Sequence, residues 1–240
     1  QSLILEITIE KPWSNGRVGF AGNSWLAIAQ WFIAAERPPH LAAIAPWEGL
    51  CDAYRHNFQG GIVDAAFAET VFRRCVGVNE REDFAAMTQQ EPLMAPYWQD
   101  KIAQVERIDV PAYVVASWTN PVHTPGTFDA WQRLGSEAKW LRVHNTMEWP
   151  DFYAPASRDD LQRFFDRYLN CEDNGWESTP QVRLAVLGVE GDDEVDRPMQ
   201  GFPPRGSTHH AWHLGFDGHM HAEAPSAAHE IRCQSSVDGL

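Results

Sequence analysis

The 240-residue chain lacks three features that would each have assigned it to a class of protein. It has no apolar run of about 18 residues, so no segment is expected to cross a bilayer as a helix. Its four cysteines are scattered without a CxxC pair or ligand-like spacing, so reduced thiols and no metal site are expected. Basic residues are scarce, and the net charge of −14 argues against nucleic acid or an anionic membrane as a partner.

The N-terminus also lacks an initiator Met and the basic-then-apolar layout of a signal peptide. The chain is therefore expected to be processed or cut from a longer protein, with a cytoplasmic location as the default. What it does contain is apolar material: 44% of the residues are hydrophobic, including 11 Trp and 12 Phe. That composition predicts a packed core rather than disorder.

The order of apolar segments predicts an α/β fold. A short strand over 17–24 (RVGFAGNS) is followed by a helix from Trp25 to Glu36, which Pro38 and Pro39 stop, and by a strand over 41–47. A strand–helix–strand order of this kind favours a parallel sheet. Further strands are predicted over 112–117 and 139–144, with the helix GTFDAWQRL between them, and Ser157 is predicted to cap a last helix.

Composition divides the chain into four predicted parts. Residues 1–51 and 108–178 form the two halves of the α/β core, and residues 52–107 are helical and inserted between strands, as a cap over an active site would be. From residue 179 to 240 alternation and turn residues replace the helical patterns, which predicts an incomplete β-rich domain.

One motif carries chemistry. Gly22-Asn23-Ser24 stands between the first strand and the first helix, where a nucleophile elbow pushes a serine hydroxyl above the sheet. Leu26 occupies the last glycine of the usual G-x-S-x-G pattern, so the match is imperfect, and a helix-capping serine is the alternative. The backbone N–H of Trp25 is the predicted oxyanion donor.

Several blocks in the same order extend this motif: PWSNGRVGFAGNSWLAIAQWF, PPHLAAIAPWEGLCDAYRH, PLMAPYWQDK, IDVPAYVVASWT and KWLRVHNTMEWPDFY. They resemble the cocaine-esterase-like (CocE/NonD) hydrolases, grouped with the X-prolyl dipeptidyl peptidases in the α/β-hydrolase superfamily. The resemblance implies an α/β-hydrolase core, a helical cap, a C-terminal jelly-roll-like domain and truncation at both ends. The missing N-terminal part would hold the Tyr that donates to the oxyanion.

The same resemblance implies a degenerate catalytic triad. The family's acid, an Asp after a strand, aligns with Asn120, and its base, a His before E-W-P-D, aligns with Met147. A thioether accepts no proton at a working pH, so the base is lost rather than weakened. His144 and His123 are the candidate substitute bases, and Asp129 or Asp151 the candidate replacement acids. Glu148 is expected to be an ordinary loop charge.

The function implied is a serine hydrolase that transfers an acyl group from ester or amide bonds to Ser24, with X-Pro dipeptidyl bonds among the candidates. The alternative is an inactive or rewired member, cyclase-like or lyase-like. A small ester or peptide substrate is expected, with no cofactor and no metal; the histidines after residue 208 are expected on the surface. Restoring the triad through Asn120→Asp and Met147→His together is expected to raise esterase activity by about 10² or more.

Overall fold

The computed structural model describes residues 9–58, 62, 82–228 and 230. Within them the helices and strands, labelled in chain order, have the following bounds: β1 Val18–Asn23, α1 Trp25–Ala35, β2 Leu41–Trp47, α2 Ala53–Asn57, α3 Phe84–Gln90, α4 Pro96–Gln99, β3 Ala112–Ser117, α5 Thr124–Arg133, β4 Lys139–His144, α6 Glu148–Tyr153, α7 Pro155–Tyr168, β5 Val182–Val186, β6 Glu194–Met199, β7 His213–Leu214 and β8 Met220–His221.

The strands β1 to β6 form one sheet in sequential order. Neighbours from β1 to β5 are parallel, and β6 closes the edge antiparallel to β5. The predicted α/β fold with a mostly parallel sheet is confirmed. The predicted strands over 41–47, 112–117 and 139–144 coincide with β2, β3 and β4. The runs of β2 and β3 are short and almost wholly apolar, as a strand buried on both faces requires.

Each face of the sheet carries its own core. On one face, Trp31 of α1 and Trp131 of α5 pack over side chains such as Ile44 of β2. On the other face, Phe164 of α7 packs with Trp47 at the end of β2. Successive residues of β2 alternate between the two cores, as the pleat of a strand demands. Because helices cover both faces of the sheet, polar side chains lie at the carboxyl ends of the parallel strands.

The last helix of the core begins earlier than predicted. Ala154 is its N-cap and Pro155 its first residue, so Ser157 lies inside the first turn and does not cap it. Proline's fixed φ and missing N–H suit the first helical position, which the capping-box interpretation overlooked. The Ser157 hydroxyl instead accepts a hydrogen bond from the Arg142 guanidinium at 3.3 Å.

The domain boundary predicted at residue 179 was wrong. β5 pairs parallel with β4 and therefore belongs to the central sheet, and one compact unit extends to Phe202 while a second begins at Pro203. The strand itself was predicted, but an isolated apolar run does not reveal which strand it pairs with. In the second unit β7 and β8 form a short antiparallel pair; a jelly-roll domain there stays a prediction.

The segment predicted as a cap, residues 52–107, is only partly described. α2, α3 and α4 are short helices, and the helix predicted over FAETVFRRCV lies outside the described residues. α3 confirms the helical prediction over REDFAAMTQQ, whereas α4 covers only one turn of the predicted PLMAPYWQDKIAQV helix. The role of this segment as a cap stays a prediction. Among the helices of the described ranges, none has the length and apolarity needed to cross a membrane.

Candidate active site

The turn between β1 and α1 is strained at Ser24, as predicted. Ser24 has φ 56° and ψ −118°, a conformation that costs a non-glycine residue about 1–3 kcal/mol. Its N–H donates to the carbonyl of Trp47 at 3.2 Å, and its own carbonyl accepts from Ala27 in the first turn of α1. A Cβ at Gly22 would lie 2.4 Å from the Leu26 Cβ, so only glycine fits there. The elbow geometry is therefore present although Leu26 departs from the usual motif.

A buried glutamine holds this turn to the sheet. Gln30 of α1 is 2% exposed, and its side-chain oxygen accepts from the backbone N–H of Ala45 in β2 at 3.0 Å. Its amide nitrogen donates to the carbonyl of Leu26 at 3.0 Å. The Gln30 side chain thus links the helix that follows Ser24 to the neighbouring strand. These hydrogen bonds stabilise the strained turn.

The Ser24 hydroxyl meets a histidine. Its Oγ lies 2.9 Å from Nε2 of His123, which occupies the N-cap position of α5 and is 6% exposed. Burial lowers the pKa of His123 to about 4, so the ring is neutral at physiological pH. Among the described residues Nδ1 of His123 is buried and has no hydrogen-bond partner. The arrangement is a serine–histidine pair in which no carboxylate contacts the histidine ring.

Asn120 lies close to this pair, and both the nitrogen and the oxygen of its side-chain amide form hydrogen bonds. The nitrogen donates to Glu48 Oε2 and to Glu148 Oε2, each at 2.8 Å. The oxygen accepts from the backbone N–H groups of Val122 at 3.1 Å and His123 at 3.2 Å. Because carboxylates can only accept from the amide, its orientation is fixed by chemistry.

The two glutamates bracketing Asn120 differ in burial. Glu48 follows β2 and is 1% exposed, with φ 51°. Glu148 begins α6, and burial together with the charge of Glu48 raises its pKa to about 7. The expectation that Glu148 is an ordinary loop charge is therefore wrong: its second oxygen is buried without a partner in the part of the chain described. Glu48 was not singled out from the sequence, although a carboxylate directly after a central strand was a usable signal.

His144 does not take the place of the missing base. It lies at the end of β4 with Nε2 2.7 Å from Glu48 Oε1. Its Nδ1 accepts from the backbone N–H of Thr146 at 3.3 Å, so both ring nitrogens are occupied. The hydroxyl of Ser24 faces His123, which the sequence had offered as the other candidate.

Comparison with known proteins shows which sequences and structures this chain resembles. Residues 7–75 match the sequence model of X-Pro dipeptidyl-peptidase (S15 family). Two crystal structures of a CocE/NonD family hydrolase from Staphylococcus aureus are 33% identical to the chain, with TM-scores of 0.83 and 0.84. The chain is similar to the CocE/NonD hydrolases in both sequence and fold. It spans 42% of the length of that staphylococcal protein, which in turn covers 95% of this chain.

Other comparisons reach only the fold or find nothing. An aminopeptidase from the marine sediment archaeon Thaumarchaeota archaeon is 14% identical to this chain, with a TM-score of 0.64. The match covers 94% of this chain and 46% of the aminopeptidase. At that identity it supports the α/β fold alone. A search among curated proteins gave no match.

The positions predicted to align with the family's acid and base differ in more than residue type. Met147, at the base position, is 71% exposed and is the N-cap of α6, with no group that accepts a proton. Asn120, at the acid position, donates to two carboxylates instead of accepting from a histidine ring. Asp151 and Asp129, the candidate replacement acids, pair with Arg142 and Arg133. Neither therefore serves His123.

One group of side chains has the chemistry of a metal site. Ligand atoms of Cys51, His56 and Asp129 lie within 4.8 Å of one another. The Arg133 guanidinium, however, is 2.7 Å from the Asp129 carboxylate and supplies its positive charge. Burial and the neighbouring Asp129 raise the pKa of Cys51, which opposes the thiolate that a metal needs. We assign no metal to this group.

Proposed function

We propose that the chain is a serine hydrolase of ester or amide bonds in which Ser24 is the nucleophile and His123 the base. The observation that carries the proposal is the 2.9 Å separation of Ser24 Oγ and His123 Nε2 on a strained strand-to-helix turn. That distance is within the reach a general base requires. The substrate class follows the CocE/NonD relatives, with X-Pro dipeptidyl bonds as one candidate.

The reaction proceeds in two half-steps. Ser24 Oγ attacks the carbonyl carbon while Nε2 of neutral His123 takes the hydroxyl proton, and the imidazolium then gives this proton to the departing alcohol or amine. The acyl group remains as an ester on Ser24. In the second half-step His123 removes a proton from water, whose oxygen attacks the acyl carbon, and the proton returns to Ser24 Oγ as the acid product leaves.

The backbone N–H of Trp25 is the proposed oxyanion donor. Trp25 directly follows the nucleophile and is the first residue of α1, an 11-residue helix whose N-terminus carries partial positive charge. A carbonyl oxygen held there would gain charge in the transition state and be stabilised by it. Removing one such donor typically costs about 10² to 10³ in turnover.

A fluorophosphonate probe read by intact mass tests the nucleophile. We expect one adduct on the wild-type chain, formed as Ser24 Oγ displaces fluoride, and its absence in Ser24→Ala. His123→Ala should slow labelling by at least about 100-fold, because the hydroxyl then keeps its proton. His56→Ala, which removes a histidine outside the site, is the matched control and should label at the wild-type rate. Labelling that survives Ser24→Ala refutes the proposal.

A second function is favoured by one observation: no carboxylate of the described residues contacts His123, and a pKa of about 4 makes it a weak base. Under this alternative the hydrolase scaffold is inactive or rewired, cyclase-like or lyase-like, and the pocket holds a ligand without an acyl intermediate. The alternative would be favoured if the folded wild-type chain took no label. Heat-denatured protein, which should also take none, gives the background for that measurement.

A further inference from the structure

We infer that Asn120 is a positioning residue for His123, replacing through the backbone the orientation that a triad acid gives through the histidine ring. The inference rests on the proposed pairing of Ser24 with His123. In a triad the acid fixes the tautomer and the rotation of the imidazole by accepting from Nδ1–H. Here Nδ1 has no such partner within the described ranges, so another constraint must hold the ring against Ser24.

The constraint lies in the turn between β3 and α5. The Asn120 side-chain oxygen accepts from the N–H groups of Val122 and His123, and its carbonyl accepts from Thr124 N–H at 3.1 Å. These bonds fix the main chain on both sides of His123. Because the Cα and Cβ of His123 are fixed and the residue is only 6% exposed, few rotamers remain for its ring.

The far end of the amide anchors this turn to the rest of the site. Its nitrogen is held by Glu48, which is itself bonded to His144 at the end of β4, and by Glu148 at the start of α6. Asn120 therefore joins three parallel-strand ends through one side chain. It is the only residue type of its size that can accept on one side and donate twice on the other.

The charges around Asn120 explain why an aspartate is unsuitable. The groups facing it are Glu48 from the end of β2, Glu148 from α6, and His123 on α5, with His144 behind Glu48. An aspartate would bring a third carboxylate against two, and like charges at hydrogen-bond distance disfavour ionisation of all three. The turn would open or a proton would have to be taken up.

The test is Asn120→Asp, an isosteric change, followed by the rate of fluorophosphonate labelling between pH 8 and pH 5.5. We expect labelling about 10- to 100-fold slower than wild type at pH 8, since misplacing a base by a fraction of an ångström has effects of that order. Toward pH 5.5 the deficit should shrink to within about threefold, because a proton shared among the carboxylates restores one bond. His123, with a pKa of about 4, stays neutral over this range.

A second substitution separates positioning from general damage. Glu148→Gln added to Asn120→Asp reverses donor and acceptor across that contact, so labelling at pH 8 should recover at least threefold. Asn170→Asp is the matched control, because Asn170 also donates to a carboxylate, Asp166 at 2.9 Å, but on the surface. It should label at the wild-type rate at every pH.

Histidine NMR keeps the inference testable whatever the activity. In wild type and Asn170→Asp the His123 imidazole signals should coincide, whereas Asn120→Asp should shift or broaden them at pH 8 and not at pH 5.5. Unchanged His123 signals and labelling in Asn120→Asp overturn the inference, as does a loss of labelling that neither acid nor Glu148→Gln relieves. If instead wild-type Ser24 never labels but the signals respond as expected, the proposed function fails and the positioning stands.

Discussion

The turns that follow β3 and β4 end at the same edge of the sheet, yet the first buries His123 and the second leaves Met147 exposed. After β3, Asn120 and His123 are held by side-chain and backbone bonds, and His123 is 6% exposed. After β4, Met147 projects with 71% of its surface exposed. The resemblance to CocE/NonD hydrolases placed the acid after β3 and the base after β4. In this chain the histidine that contacts Ser24 follows β3.

The difference teaches that alignment with a family identifies equivalent positions in the sequence. It does not show which other side chains come close to the nucleophile in the folded chain. His123 is three residues after the acid position, at the start of α5, and the turn formed by Asn120 brings its ring to Ser24. A histidine that enters from this side needs no residue at position 147. Substitution of the family base therefore does not by itself leave the serine without a partner.

The largest expected effect comes from removing His123, the proposed base after β3. His123→Ala should lower kcat/KM on a small aryl ester by about 10⁴ or more, as losing a triad member does, and adding Ser24→Ala should cost little further. Met147→Ala should remain within about twofold of wild type, because an exposed thioether takes no part. If Met147→Ala lowered kcat/KM as much as His123→Ala does, the turn after β4 would also have to take part in catalysis.

Restoring the family residues should make the enzyme worse, contrary to the expectation from the sequence. Met147→His adds a ring at an exposed position, while Asn120→Asp sets a third carboxylate beside Glu48 and Glu148. The double variant should therefore lose about tenfold in kcat/KM at pH 8. A gain of about 10² in the same aryl-ester assay would show that the family geometry is still accessible.

The pH profile gives a smaller but specific effect. Burial lowers the pKa of His123 to about 4, and the neutral form is the base, so activity is present above that pKa and lost as pH falls through it. The acid limb of kcat/KM should lie near pH 4, well below the ordinary histidine value of about 6.5. An acid limb between pH 6 and 7 would mean that His123 is solvated or that another histidine is the base.

The smallest effect concerns stability. The pKa of Glu148 is raised to about 7 from 4.5, so the folded state binds the proton more tightly than the unfolded state. The free energy of unfolding should therefore fall as pH rises between these values and change little from this group above them. Glu148→Gln should flatten that decline in urea titrations from pH 5 to 8, whereas exposed Glu137→Gln should parallel wild type.

The sheet and the elbow were predictable because their causes are local. Apolar runs predict β2 and β3 to the residue, and a glycine two before a serine at a strand-to-helix junction predicts the turn. The pairing of β5 with β4 was not predictable, since strand partners are chosen by the tertiary fold. The Ser157 cap failed because Pro155 begins the helix first.

The site was less accessible to prediction because its contacts span distant parts of the sequence. His123 and Ser24 are brought together by two crossovers, and nothing near His123 in the sequence distinguishes it from a structural histidine. The pKa of Glu148 is raised by its own burial and by the charge of Glu48, 100 positions earlier in the sequence. Charge patterns alone suggested a solvated loop, because burial is a property of the folded chain.

The hydrogen bond of Gln30 to β2 affects how this part of the molecule unfolds locally. Because a side chain of α1, and not a neighbouring strand, accepts the Ala45 amide, that amide can exchange its hydrogen only when helix and strand separate. The turn bearing Ser24 thus shares its opening free energy with β2 and cannot relax its strained backbone alone.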